Sequence, residues 1–174
     1  HNRELNALRL TGKPEDIKAA EAIIEQYDQP RRQAEFILRV IEASSSAKGP
    51  TDAADLVPAE LKSLLRYSSY GQRDMVVLRG QETERLTIAL AGNLRGSLLF
   101  RVRDEAGAPS IESEISIEGP VRFTGGEKPQ SYATTLLRTS TKLKSGETVV
   151  LGASKMLEGS GNALIILLTG KLLP

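Results

Sequence analysis

The chain has 174 residues, with 23 Lys and Arg against 22 Asp and Glu, a formal net charge of +1 and no cysteine. This length suits one compact domain or two small ones, and the balanced, well-mixed charge gives no electrostatic case for nucleic acid or an anionic membrane surface. The lack of cysteine removes disulfides, thiolate metal sites and Cys nucleophiles, and with 4% aromatics and no Trp the core must be built from Leu, Ile, Val and Ala.

No apolar run approaches the roughly 18–20 residues of a membrane-spanning helix. The chain opens at His1-Asn2 without Met, which reads as a trimmed chain whose signal peptide was removed, with His1 a remnant of a tag. Residues 5–11 predict a strand with Leu8 and Leu10 on one face, broken at Gly12-Lys13-Pro14. Pro14 fits a first helical turn, and Glu15 and Asp16 complement the positive end of the helix dipole. Ile17, Ala20, Ile24 and Tyr27, widened by Ile23, form an apolar stripe at helical spacing, and Asp28-Gln29-Pro30 stops the helix. Residues 33–43 follow as a β-branched strand with Ala34, Phe36, Leu38 and Val40 on one face, able to return parallel to the first strand through a right-handed crossover.

Ser44–Asp52 is small and polar with a Gly-Pro break, and it reads as a linker or long loop. A second helix is expected over residues 57–67, burying Leu61, Leu64 and Leu65, with Asp52 and Asp55 as caps rather than as a Ca²⁺ loop. From Met75 onward everything reads as strand: Met75–Arg79, Arg85–Leu90, Ser97–Arg103 with Leu98, Phe100 and Val102 inward, and Ser110–Glu118. The last of these sets Ile111, Ile115 and Ile117 against Glu112, Glu114, Ser116 and Glu118, the alternation of an antiparallel sheet buried on one side. Residues 104–109 have the composition of a hairpin loop, and Lys144–Glu147 that of a turn leading into Thr148–Leu151. Leu164–Leu168 is apolar on both faces and should be a central or doubly covered strand. The expected class is α+β: a β-α-β module over residues 1–44, a linker over 45–56, and a helix with a mainly antiparallel, β-rich domain over 57–174.

Two segments carry a resemblance. Asn6, Leu8, Leu10, Gly12, Pro14-Glu15-Asp16, Asp28, Pro30 and Gln33 stand in the order seen in the small KH-like periplasmic domain of bacterial secretins. Gly146-Glu-Thr-Val-Val-Leu-Gly152 resembles the strand near the end of the secretin core. The chain is thus similar to secretins at both ends, with Gly170 where the family has Pro in its last strand. The segment after Gly152 shrinks to a short loop over 156–162, where the family has long hairpins, so the resemblance implies a fragment or miniature that forms no outer-membrane pore by itself. It also implies a non-enzymatic assembly module of the periplasm or cell envelope, related to type II or III secretion or type IV pilus secretins. Its partner would be a second copy, as in a homo-oligomer, or another envelope component.

Other chemistries find little support. The Glu112, Glu114 and Glu118 row reads as the solvated side of a sheet, since an acid–base pair needs distinct environments. No Gly-x-Ser-x-Gly elbow accompanies the single terminal His, which removes a Ser-His-Asp mechanism. Gly159-Ser-Gly161 and Gly92–Gly96 lack phosphate-loop spacing and read as turns. Arg95, Arg101 and Arg103 make a basic stretch, but the Gly-x-x-Gly clamp of a KH nucleic-acid binder is missing. No catalytic, cofactor-binding or metal-binding residue is expected. The alternatives are a stand-alone monomeric structural or regulatory domain and, behind it, a KH-like nucleic-acid binder.

Overall fold

The computed structural model describes residues 9–28, 31–46, 49–105, 108–123, 130–155 and 162–174. Contacts divide the chain into two units, His1–Arg31 and Arg32–Pro174. The first unit is built around helix α1, Pro14–Tyr27. Pro14 sits in its first turn beside Glu15 and Asp16, and the Asp28 N–H donates to the Ile24 carbonyl at 2.7 Å to close the last turn. Ile17, Ala20 and Ile24 are half-buried, but Ile23 is 57% exposed and does not widen the stripe. Of the strand expected over residues 5–11, residues 9–11 form none and the rest lies outside the described residues.

The second unit pairs two four-stranded antiparallel sheets. Sheet I has the order β2-β1-β8-β7, with β1 Gln33–Ser44, β2 Ser69–Gln81, β7 Thr148–Lys155 and β8 Asn162–Leu172. Sheet II has the order β3-β4-β5-β6, with β3 Arg85–Leu90, β4 Leu94–Glu105, β5 Ala108–Phe123 and β6 Gln130–Lys144. The fold class is therefore α+β, β-rich and antiparallel, as expected. The parallel return of β1 does not occur: both of its neighbours, β2 and β8, run antiparallel to it. β1, grouped with α1 in the module expected over residues 1–44, lies within the unit Arg32–Pro174, as do both of its partners.

The core between the sheets follows directly from alternation. Ala34, Phe36, Leu38 and Val40 of β1 and Ile166 and Leu168 of β8 face Ile88, Leu98, Phe100, Ile111, Ile115, Ile117 and Leu143 of sheet II. Phe36 and Phe100 meet edge to face, with centroids 4.9 Å apart, a favoured aromatic geometry. Ser113 stands directly opposite Phe100 on the core face of β5, a small side chain beside the large ring. At Gly170 the layers leave no room for a side chain: a Cβ there would stand 2.6 Å from Leu143 Cδ1 and 3.1 Å from Phe36 Cε1.

β8 lies between β1 and β7 and is buried on both faces, as its composition demands. Ile165, Leu167 and Ala163 turn away from the sandwich and join Ile41, Ala43, Ala53, Val57 and Tyr70 in a second cluster. That cluster is roofed by the short helix α2, Ala59–Leu65, through Leu61 and Leu65. A 3-10 turn at Ala54–Leu56 precedes α2, so the helix is shorter than the span 57–67, and Leu64 is 76% exposed rather than buried. Neither Asp52 nor Asp55 caps α2, whose N-cap is Pro58 without a side-chain bond. Asp52 Oδ1 instead accepts the Gln72 N–H of β2 at 3.2 Å. The described residues of the linker are fastened to the same strand: Ser69 Oγ donates to the Ser46 carbonyl, Ala53 N–H to the Tyr70 carbonyl, and Pro50 fills the space above Gly71.

Candidate interaction surfaces

A sandwich offers strand edges and sheet faces. β2 and β7 are the edges of sheet I, β3 and β6 those of sheet II. The four are unequal. β3 has six residues and β7 has eight. β2 has 13 and β6 has 15. β2, β6 and β7 each carry one register shift, so length separates the edges: short ones resist pairing with another chain and long ones invite it. β2 packs beside β3 along one side of the sandwich and β7 beside β6 along the other, so each side presents one long edge and one short one. The long β2 edge carries an exposed apolar pair, Met75 at 46% and Val77 at 49%, next to half-buried Ile37. On β6, Arg138, Lys142 and Lys144 are exposed.

The outer face of sheet II is open to solvent among the described residues and strongly patterned. Glu112, Glu114 and Glu118 form a column on β5, with Arg95, Arg101 and Arg103 on β4 and Arg138, Lys142 and Lys144 on β6 to either side. Arg85 of β3 adds a seventh cation on this face. Arg103 Nε meets Glu112 Oε2 at 3.1 Å. The three glutamates thus share a row on the outer side of the sheet, Glu114 and Glu118 exposed and Glu112 half-buried. Arg95, Arg101 and Arg103 are exposed on the same face.

At one end of the sandwich Arg32, just before β1, binds Asp104 of β4 through two bonds, Nη1 to Oδ1 at 2.7 Å and Nη2 to Oδ2 at 2.6 Å. This fork ties sheet I to sheet II. The hydrogen bond from Arg32 holds the Asp104 carboxyl below the usual carboxylate range, and the same bond raises Arg32. Gly92 and Asn93 adopt left-handed φ of 74° and 61° in the β3–β4 connection, a turn as expected, whereas Leu94–Gly96 of the same stretch already belong to β4. His1 and Gly159–Gly161 lie outside the described residues. Among the described residues no three His, Asp or Glu side chains gather as a metal site, and no helix is long and apolar enough to cross a membrane.

No family model matches the sequence, and no curated protein does. Solved structures do match. The type II secretion system secretin GspD of E. coli K12 superposes with a TM-score of 0.59 at 12% identity, over 94% of this chain and 55% of that one. The fold is secretin-like. The type II secretin GspD of enteropathogenic Escherichia coli gives a TM-score of 0.65 at 12% identity, over 99% of this chain and 78% of that one. The secretin of the ETEC pilotin–secretin AspS–GspD complex gives 0.58 at 11% identity, over 94% and 54%. The chain thus spans little more than half the length of two of these secretins. Sequence reasoning reached this fold from the helix punctuation at Pro14–Asp28 and the strand at Gly146–Gly152. It missed the long β2 edge with its Met75–Val77 pair, and it missed Arg85 and Arg138 as members of the β4–β5 face. Alternation along each strand places such residues on a face, but only strand order brings the faces of four strands together.

Proposed function

We propose that this chain is a non-catalytic assembly module of a bacterial secretion machine, working in the periplasm or cell envelope. The observation that carries the reading is the secretin-like fold extending over 94–99% of the chain. One of the similar structures is a secretin in complex with a pilotin, which supports a role in docking rather than catalysis. On this reading residues 1–31 contribute the helical part of a small periplasmic module, and residues 32–174 form the body that assembles. Opposite sides of the sandwich present long edges belonging to different sheets, so the natural contact between copies is head to tail. Such contacts generate rings when the rotation closes, through backbone pairing along β2 and β6.

Light scattering across a wide concentration range tests this. The expected result is a mass that rises with concentration and returns to that of a monomer in Met75→Lys/Val77→Lys, since edge lysines oppose strand addition. A monomer at every concentration overturns the assembly reading.

A further inference from the structure

Among the described residues, the outer face of sheet II carries seven cations against three carboxylates, on a chain whose net charge is only +1. Its acidic column has one gap. Between Glu114 and Glu118 stands Ser116, paired across β4 with Ser97 and across β6 with Arg138. Arg85 reaches in from β3, its Nη1 donating to Ser97 Oγ at 3.0 Å. Ser116 Oγ is shielded from solvent and has no hydrogen-bond partner among the described residues. These groups line an open depression of about 260 Å³, bordered by Leu99 and Glu114. A second depression of about 310 Å³, reaching Arg101 and Lys142, shares Leu99, Glu114 and Ser140 with the first. Together they make one trough along the strands.

We propose that this trough docks an acidic, extended segment of a partner protein, one carboxylate seated between Arg85 and Arg138 over the Ser97–Ser116 pair. The guanidinium fork matches the two oxygens of a carboxylate, and beneath it the Ser116 hydroxyl has no partner among the described residues. Of the two glutamates that flank Ser116, Glu114 borders the depression and sits opposite Leu99 and Ser140, not opposite a cation. The lining of this depression thus carries two guanidinium groups and one carboxylate. The site uses outward side chains of sheet II, whereas the assembly reading uses the backbone edges of β2 and β6, so either can fail without the other.

The test uses a fluorescein-labelled hexaglutamate peptide and fluorescence anisotropy at low ionic strength. Saturable binding is expected, weakened about tenfold by Arg138→Gln or Arg85→Gln, as the loss of one charge-assisted hydrogen bond requires. Glu114→Gln is expected to tighten it. Circular dichroism melts should match the wild type in all three variants, and so should light-scattering mass in Arg85→Gln and Glu114→Gln, which lie off the β2 and β6 edges; this separates a binding defect from misfolding or altered assembly. Absence of saturable binding, or variants that bind like the wild type, overturns the proposal. Displacement of the peptide by inorganic phosphate at equal carboxylate and phosphate concentrations also overturns it, leaving a simple oxyanion site in place of a polypeptide groove.

Discussion

β5 and β8 are both interior strands of four-stranded sheets, yet their compositions are opposite. β5 alternates Ile with Glu or Ser because one side meets the core and the other meets water. β8 runs Ala163–Leu168 without a charge because the sandwich covers one side and α2, with the preceding turn, covers part of the other. The difference shows where this molecule keeps its surface chemistry. Covering sheet I spends its outward positions on a second core, while leaving sheet II open frees its outward positions for a patterned array of charge.

The largest effect expected is in the core the two sheets share. Phe36→Ala should lose about 3–5 kcal/mol of stability, since Phe36 is fully buried and meets Phe100 across the layers; chemical denaturation reads it. The contrast between the outward faces comes next. Leu167→Ala, under α2, should cost about 2–5 kcal/mol, whereas Glu114→Ala, outward on sheet II, should stay within about 0.5 kcal/mol. Equal losses at the two positions would refute the difference in cover. Smaller still is Gly146→Ala in the turn between β6 and β7. Its φ is 88° and no atom lies within 4 Å of an added Cβ, so only the left-handed strain of about 1–2 kcal/mol remains.

The smallest effect belongs to the exposed clasp between the sheets. The folded-state pKa of Asp104 is depressed, so the clasp adds stability above the pKa of the unfolded carboxyl and loses it as pH falls through the folded value. Asp104→Asn should therefore melt slightly below the wild type at neutral pH, with the gap closing in acid. Salt should narrow the neutral-pH gap as well. A gap that widens in acid would show that Asp104 acts otherwise.

Where the local signal was strong, the element is legible in the sequence. Helix α1 follows from Pro14, Glu15, Asp16 and a stripe at helical spacing. β3 appears over Arg85–Leu90 as read, and the inward sets of β4 and β5 follow from period-two alternation. The reading ended β5 at Glu118, yet β5 continues to Phe123 through Gly119 and Pro120. Pairing with β6 carries it past residues whose own preference is to break a strand. Leu64 was assigned to the buried side of α2 because the apolar stripe admits it, but a seven-residue helix roofing one end of a sheet has room for only Leu61 and Leu65.

By itself, then, the sequence determined the α+β class, the alternating strands, the doubly apolar β8 and the resemblance to secretins, because those depend on residues adjacent or nearly adjacent along the chain. The tertiary structure alone decided the antiparallel placement of β1 between β2 and β8, which edges are long, and the meeting of Arg85 with Ser97, Ser116 and Arg138 on one face. Those depend on strand order and register, set by how two apolar faces close on one another and by no short stretch of residues.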